Sequence, residues 1–353
     1  LVLIDVETTL ASPIAQQEGW GKQLEVSYVE RPIFLPPESK ALVMAAFLRT
    51  GHDFSRMWEL AAMELDEPLS MRSIARSEGG YVDEINGLPA AWTPSDAYFV
   101  SLGDRELGVM FPAERQLVSR WADFARENTQ AALSKYLSAT VELANRKVPI
   151  VMAIDLKDVV QPHELEARLE NATELQQANV DLKEVVNVLS SIRGAVLRVA
   201  VGNDVQGQLQ IDFGENVAPI KSIAREMVLG GLSSMGANIE DLETWKVEVK
   251  DQTILMRGPM SEAGQRRIFS IVEIPSTKFS SLKGQVSEDN EPPSESKIRE
   301  ASLTYFKATE VLIRDLRRDL RGNKASAAVM ERYARKIDRM PILNVDNDLL
   351  DYG

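Results

Sequence analysis

The stretch AVLRVAVGNDVQGQLQIDF, Ala195 to Phe213, decides the fold class. Val196, Arg198 and Ala200 alternate with Leu197, Val199 and Val201, so one face of the segment is apolar and the other mixed. That is the pattern of an antiparallel sheet covered on one side. GNDVQG between the two runs is a polar turn of hairpin length, with Gly and Asp tolerating the required backbone angles.

Downstream, a helical stretch precedes WKVEV (Trp245 to Val249) and TILMR (Thr253 to Arg257), a second hairpin joined by KDQ, and another helix starts near Ser261. Upstream, AYFVSLGDRELGVMFPAERQLVSRWADF from Ala97 resembles the stretch from Ala195 in reading as hairpin then helix. LVMAAFLR (Leu42 to Arg49) and IVMAIDLK (Ile150 to Lys157) also align without a gap. A helix is expected after each, DFSRMWELAAMEL from Asp53 and PHELEARLENATEL from Pro162. This offset repeat predicts an α+β body of two related halves, residues 1–147 and 148–274. Each half is expected to be a mainly antiparallel sheet with helices packed on one face, rather than part of a doubly wound parallel sheet.

Beyond the body, PSTKFSSLKGQVSEDNEPPSESK, Pro275 to Lys297, is rich in Ser, Pro and charge without apolar period and reads as a linker. Tyr305/Phe306, Thr309, Leu312/Ile313, Leu316 and Leu320 then place one apolar stripe on a helix. Gly322-Asn323 supplies a stop. A second helix, with Met330, Tyr333/Ala334 and Ile337 on one face, runs to Pro341. Residues 298–353 are therefore expected to form a helical hairpin. Its stripe is too narrow to bury itself within two helices, so it must dock on the body or on another copy.

Composition narrows the function classes. The chain has 353 residues, 44% apolar and 26% charged, an ordinary globular mixture. The lack of cysteine excludes disulfides, thiolate metal sites and a cysteine nucleophile. No apolar run approaches the ~20 residues of a membrane-spanning helix. The net charge is -13, unevenly spread: Lys297 to Arg339 holds twelve Lys and Arg against six Asp and Glu, while residues 1–296 hold 28 basic and 44 acidic residues. An acidic body carries a basic arm. In RDLRRDLR, Arg314, Arg317, Arg318 and Arg321 are the candidates for gripping an anionic partner. Asp315 and Asp319 between them argue against a phosphate-tracking surface, so no nucleic-acid partner is expected and self-docking of the arm is the alternative.

Catalytic patterns are sparse. A calcium loop starting at Asn344, Asp346 and Asp348 meets Leu349 where glycine is needed, and capping of a short helix by Asp346 or Asn347 is the competing reading. His52 and His163 are the only histidines, and HELEA lacks the second histidine of a zinc helix. There is no G-x-S-x-G, no dinucleotide fingerprint and no phosphate loop, so no cofactor is expected. GGLSSMG (Gly230 to Gly236) reads as a helix end, and SEGGYVDEING (Ser77 to Gly87) as a loop holding a possible carboxylate pair. Asp155, Asp83 and Glu84 are the candidates for carboxylate catalysis; Asp155 stands where Phe47 lies in the aligned strand. Trp20, Trp92 and Trp245 are candidate exposed rings for stacking on sugars.

ERYARKIDRMPILNVDNDLLDYG, Glu331 to Gly353, with YFKATEVLIRDLR from Tyr305, resembles the C-terminal region of a bacterial family of exported proteins with no assigned activity. The resemblance implies export, to the periplasm or cell surface, and a chain continuing beyond both ends shown; it carries over no catalytic residue. The expectation is a non-catalytic binding or assembly protein of the envelope, meeting itself or another envelope protein through the C-terminal hairpin. A carboxylate-based polysaccharide hydrolase and a lipid or peptide carrier are the alternatives.

Overall fold

The computed structural model of the protein describes residues 1–21, 35–36, 38–49, 56–94, 96–128, 132–144, 148–170, 180–234, 239–269, 295–320, 329–330, 333–334, 336–337, 340 and 345–352. Twelve strands build its sheet: β1 (Val2–Asp5), β2 (Ser39–Leu48), β3 (Arg56–Leu65), β4 (Tyr81–Ile85), β5 (Leu88–Thr93), β6 (Ala97–Ser101), β7 (Glu106–Phe111), β8 (Ile150–Asp155), β9 (Ile192–Val201), β10 (Val205–Phe213), β11 (Lys246–Lys250) and β12 (Thr253–Pro259). The order is β11-β12-β10-β9-β8-β1-β2-β3-β7-β6-β5-β4, and every pairing is antiparallel. The protein is thus α+β with a large antiparallel sheet. The two sheets expected from the repeat are joined through β1 into one.

β2 and β8, the strands of the aligned octapeptides, flank β1 on its two sides. From β3 the chain crosses to the far edge at β4 and returns strand by strand to β7; from β10 it crosses to the edge at β11 and returns at β12.

One face of the sheet holds the main core. Against it lie α1 (Val6–Leu10), α2 (Pro13–Glu18) and α3 (Met71–Glu78). Later in the chain α6 (Pro162–Leu169), α7 (Leu182–Ser190), α8 (Ala224–Ser234) and α9 (Glu262–Phe269) join them. Helices do not keep to that face. α4 (Arg115–Glu127) covers Ile85, Ala90, Tyr98, Val100 and Met110 on the other side, and α5 (Lys135–Ala144) covers Val151, Ala153 and Val196 there. β6 and β8 are apolar at nearly every position because both their faces are covered.

The segment after Asp53 is a correction. Arg56–Leu65 is β3, not a helix: Ala61, Met63 and Leu65 enter the core while Leu60, Ala62 and Glu64 face the other way. Met, Glu, Leu and Ala favour helices intrinsically, and pairing with β2 and β7 overrides that preference. His52 lies outside the described residues. Within GGLSSMG, α8 runs through Gly230 and Gly231 and its described part ends at Ser234, inside the stretch. Ser77–Gly87 is not one loop: α3 stops at left-handed Gly79, β4 follows, and Asn86 (φ 51°) with Gly87 (φ 79°) makes the tight turn into β5.

Trp20 and Trp245 are buried, not exposed. Trp20 meets Phe269 edge to face at 6.2 Å. Trp245 lies over Gly207 and Gly258, cross-strand partners on β10 and β12, and its Nε1 donates to the Pro259 carbonyl at 2.8 Å. Any Cβ at Gly258 would meet the indole at 2.2 Å, so these glycines make the ring's seat.

In the arm, α10 (Glu295–Asp319) begins at Glu295, inside the stretch read as linker; residues 275–294 lie outside the described residues. Tyr305, Ala308 and Leu312 pack with Val329, Tyr333 and Met340, and with Leu349 and Leu350 of α11 (Asn347–Tyr352). The stripe therefore finds most of its cover within the arm. Attachment to the body is polar: Arg266 of α9 meets Asp315 at 3.2 Å, and Arg267 pairs with Asp319, which also accepts from the Tyr333 hydroxyl at 2.9 Å. Gly322, Asn323 and Pro341 lie outside the described residues.

Candidate functional site

The helices on the second face leave a gap. α5 lies over β8 and β9, and α4 over β4 to β7, so among the described residues no helix on this face lies over β2, and β1 and β3 reach the flanking clusters only through Leu3 and Trp58. Strand alternation sends Leu3, Val43, Ala45, Phe47, Trp58, Leu60 and Ala62 to this side, because Val2, Ile4, Leu42, Met44, Ala61 and Met63 occupy the core side. The register aligns Leu3, Val43 and Ala62 in one row, Ala45 and Leu60 in the next, and Phe47 with Trp58 beyond. Val43 is 39% exposed and Phe47 56%.

α4 forms one wall. Ser119 and Arg126 reach Asn86 in the β4–β5 turn, which turns that flank toward the sheet edge. With 3.6 residues per turn, Leu117, Trp121 and Phe124 fall on the opposite flank, above β7 and toward the gap. Trp121 sits directly on Gly108, where a Cβ would come within 2.4 Å of its ring, and Phe124 is 45% exposed. On the far side of the gap Leu3 packs toward Tyr136 and Leu137 of α5. The result is an open groove with an apolar floor. One end carries a row of acids level with Ala41: Glu64 and Glu106 are exposed on this face and are direct cross-strand partners, while Asp5, in the same register row, caps α1 by accepting the Thr8 N–H at 2.8 Å and the Thr8 hydroxyl at 2.7 Å.

The sequence-derived candidates fall elsewhere. Asp83 is held by its surroundings at the sheet edge. Its Oδ2 accepts from the Tyr98 hydroxyl at 2.9 Å and Arg115 Nε at 3.3 Å, and its Oδ1 accepts the Glu84 backbone N–H at 2.7 Å. Arg115 also donates to the Glu84 carbonyl at 2.6 Å. Both backbone groups of Glu84 on edge strand β4 are thereby met by side chains, which blunts that edge against strand addition. Burial pushes the Asp83 carboxyl up, but the Glu84 N–H, Arg115 and Tyr98 outweigh it and hold the group below its usual value. Burial and the Asp83 bond raise the Tyr98 hydroxyl.

Glu84 is adjacent to Asp83 in the strand and faces the other way. Asp155 ends β8 and accepts the Lys157 N–H at 3.0 Å. Seven strand steps separate β8 from β4, roughly 30 Å at ~4.8 Å per step, so Asp155 and Asp83 do not approach the ~5–9.5 Å of a glycosidase pair. A nearby polar network is likewise structural in form: Tyr136 donates to Asp212 at 2.8 Å, with Thr253 and Gln210 on the same carboxylate. Burial raises the Tyr136 hydroxyl, and the Asp212 bond raises it further.

Arg314 and Arg317 are exposed on α10, Arg318 lies 3.8 Å from Glu240, and Arg321 lies outside the described residues. The intervening Asp315 and Asp319 point into the joint with α9, which accounts for carboxylates within a basic run. Asp346 accepts the Asp348 N–H at 2.9 Å and caps α11; Asn344 lies outside the described residues. His163 sits in the first turn of α6. Trp92 is half-buried and stacks with Tyr81, at 5.1 Å. The arm also has a shallow cavity of about 530 Å³ between Ile298, Leu303 and Phe306 of α10 and Leu349 of α11.

The groove was missed in sequence because Leu42–Leu48 is apolar at every position, the signature of a strand buried on both faces. The pattern predicts a cover that β2 lacks among the described residues. The acids of the row are far apart in sequence and meet only through register.

No family model matches the chain, and no curated protein matches it. Among solved structures, crystal form I of a protein named TP0453 is similar, with 12% identity over 80% of this chain and 92% of that one, at a TM-score of 0.43. Crystal form III of TP0453 gives 13% identity, 77% and 92% coverage and a TM-score of 0.40. Crystal form IV gives 11%, 77% and 91%, and 0.38.

Proposed function

We propose that this protein is a non-catalytic binding or assembly protein that receives a partner in the groove between α4 and α5. One observation carries the reading: three adjacent strands in the middle of the sheet present an apolar floor, with Phe47 56% exposed beside Trp58, while the strands on either side are roofed by helices. Exposed apolar surface of this contiguous kind marks interaction sites. Asp83 and Asp155 are tied to local hydrogen bonds and lie far apart, and Glu84 faces away from Asp83, so the candidate carboxylates give no support to the hydrolase alternative.

Placement in the bacterial envelope belongs to the same proposal and is supported by the C-terminal resemblance. So does the two-halves origin of the trunk, supported by β2 and β8 flanking β1 and by the similar outward-and-return course on both sides. In this reading the C-terminal hairpin is an assembly element attached through α9.

The test uses an apolar fluorescent dye, anilinonaphthalene sulfonate, with the full chain. Wild type is expected to bind dye with a blue-shifted emission. Phe47→Asp and Val43→Glu, both at exposed positions, are expected to lose most of that signal with unchanged circular dichroism. Equal dye binding by all three chains would contradict the proposal.

A further inference from the structure

We infer that the occupant of the groove is a single amphipathic helix of another protein, about four turns long, with Lys or Arg at the end that reaches Glu64 and Glu106. This rests on the groove being the binding face. Its width carries the first step. β1, β2 and β3, which carry no helix on this face among the described residues beyond the contacts of Leu3 and Trp58 at the margins, span roughly 14 Å at ~4.8 Å spacing, and a helix with side chains is ~10–12 Å across. A helix there would continue the layer that α5 begins and α4 resumes.

Length gives the second step. From Ala41 to Phe47 the floor extends about 20 Å at ~3.4 Å per residue, which matches about 13 residues of helix at ~1.5 Å each. The uniformly apolar run Ala41–Leu48 of β2 supplies the third: it has the composition of a doubly covered strand, and among the described residues no helix covers its second face.

Charge complementarity sets the polarity of the occupant. Glu64 and Glu106 stand side by side across β3 and β7, a like-charge placement that disfavours the sheet unless something balances it. Asp5 of the same register row is already engaged by the Thr8 N–H and hydroxyl at the start of α1, whereas Glu64 and Glu106 have no ion-pair partner among the described residues. The nearby Lys40–Asp66 pair, at 3.6 Å, satisfies itself. A basic helix end would meet this row, whereas an anionic phospholipid surface would be repelled by it.

The test measures binding of synthetic amphipathic peptides of about 14 residues to the full chain by fluorescence anisotropy. Three peptides share one Leu/Ala stripe and end in Lys-Arg, in Glu-Glu or in uncharged residues; neutral and anionic phosphatidylcholine/phosphatidylglycerol vesicles are run beside them. The basic-ended peptide is expected to bind about tenfold tighter than the acidic one, with the advantage shrinking in high salt. Glu64→Lys/Glu106→Lys is expected to reverse the order, and Phe47→Asp to weaken all three. Equal affinities that Phe47→Asp still abolishes would overturn the basic-helix inference and leave the groove standing. Peptide binding indifferent to Phe47→Asp would overturn both. Binding to vesicles with none to peptides would overturn the inference in favour of a membrane.

Discussion

Phe47 lies nearly parallel to Trp58 across the β2–β3 ladder, with 6.1 Å between ring centroids and 17° between planes, yet more than half of its surface is open. Trp58 is drawn toward the cluster under α4, so the pair joins the covered part of the second face to the uncovered part. An aromatic pair usually contributes through burial. Here one ring remains available to something else.

Residues kept for a partner should matter little to the fold. Phe47→Ser is expected to change unfolding free energy by less than about 1 kcal/mol, whereas Trp121→Ala, which removes the ring seated on Gly108, should cost about 3 kcal/mol or more. Urea unfolding of both variants checks this, and a loss in Phe47→Ser as large as in Trp121→Ala would show that Phe47 is core.

The joint between body and arm depends on buried ion pairs. Asp319 is 2% exposed, so Asp319→Ala removes a buried carboxylate that both Arg267 and the Tyr333 hydroxyl bond and should cost about 3 kcal/mol, while exposed Arg314→Ala should stay within about 0.5 kcal/mol. Replacing both partners, Arg267→Met with Asp319→Leu, should recover much of the loss. Denaturant unfolding reads the energies, and limited proteolysis reads release of the arm.

The Asp83 cluster predicts a pH dependence with a definite sign. Its folded carboxyl lies below the unfolded value, so its stabilisation is complete above the usual carboxylate range and is lost as pH falls through the depressed value. Asp83→Asn should flatten the acid limb of the stability curve below about pH 4. At the alkaline end Tyr98 and Tyr136, both raised, favour folding below about pH 10 and lose that contribution as pH rises further. Spectrophotometric titration should show these two tyrosines ionising only with unfolding.

Glycines beneath rings are a packing requirement. Gly258→Ala places a methyl group 2.2 Å from Trp245 and should cost about 1–3 kcal/mol with a changed tryptophan emission, while Gly230→Ala, with open space around it, should be neutral or stabilising.

Alternation made the sheet legible wherever one face is polar, as in Val196 to Val201, and the helix after each hairpin was legible from its period. β3 was not, because RMWELAAMEL is composed of helix formers and only its neighbours on both sides make it a strand. The Asn86-Gly87 turn carries a local signal, but the neighbouring Gly79-Gly80 gives the same stretch the composition of a continuous loop. The buried side of Asp315 and Asp319 is set by α9, some fifty residues earlier, and the groove is defined by where two helices do not go. Neither is a property of any short stretch.

Hydroxyl-radical footprinting with mass spectrometry tests the groove most directly. With the basic-ended peptide bound to the full chain, Phe47, Trp58 and Phe124 should become protected, while Tyr81, 53% exposed at the distant sheet edge, should label as before. Equal labelling of Phe47 and Trp58 with and without saturating peptide would contradict the proposal that this face is where the protein binds.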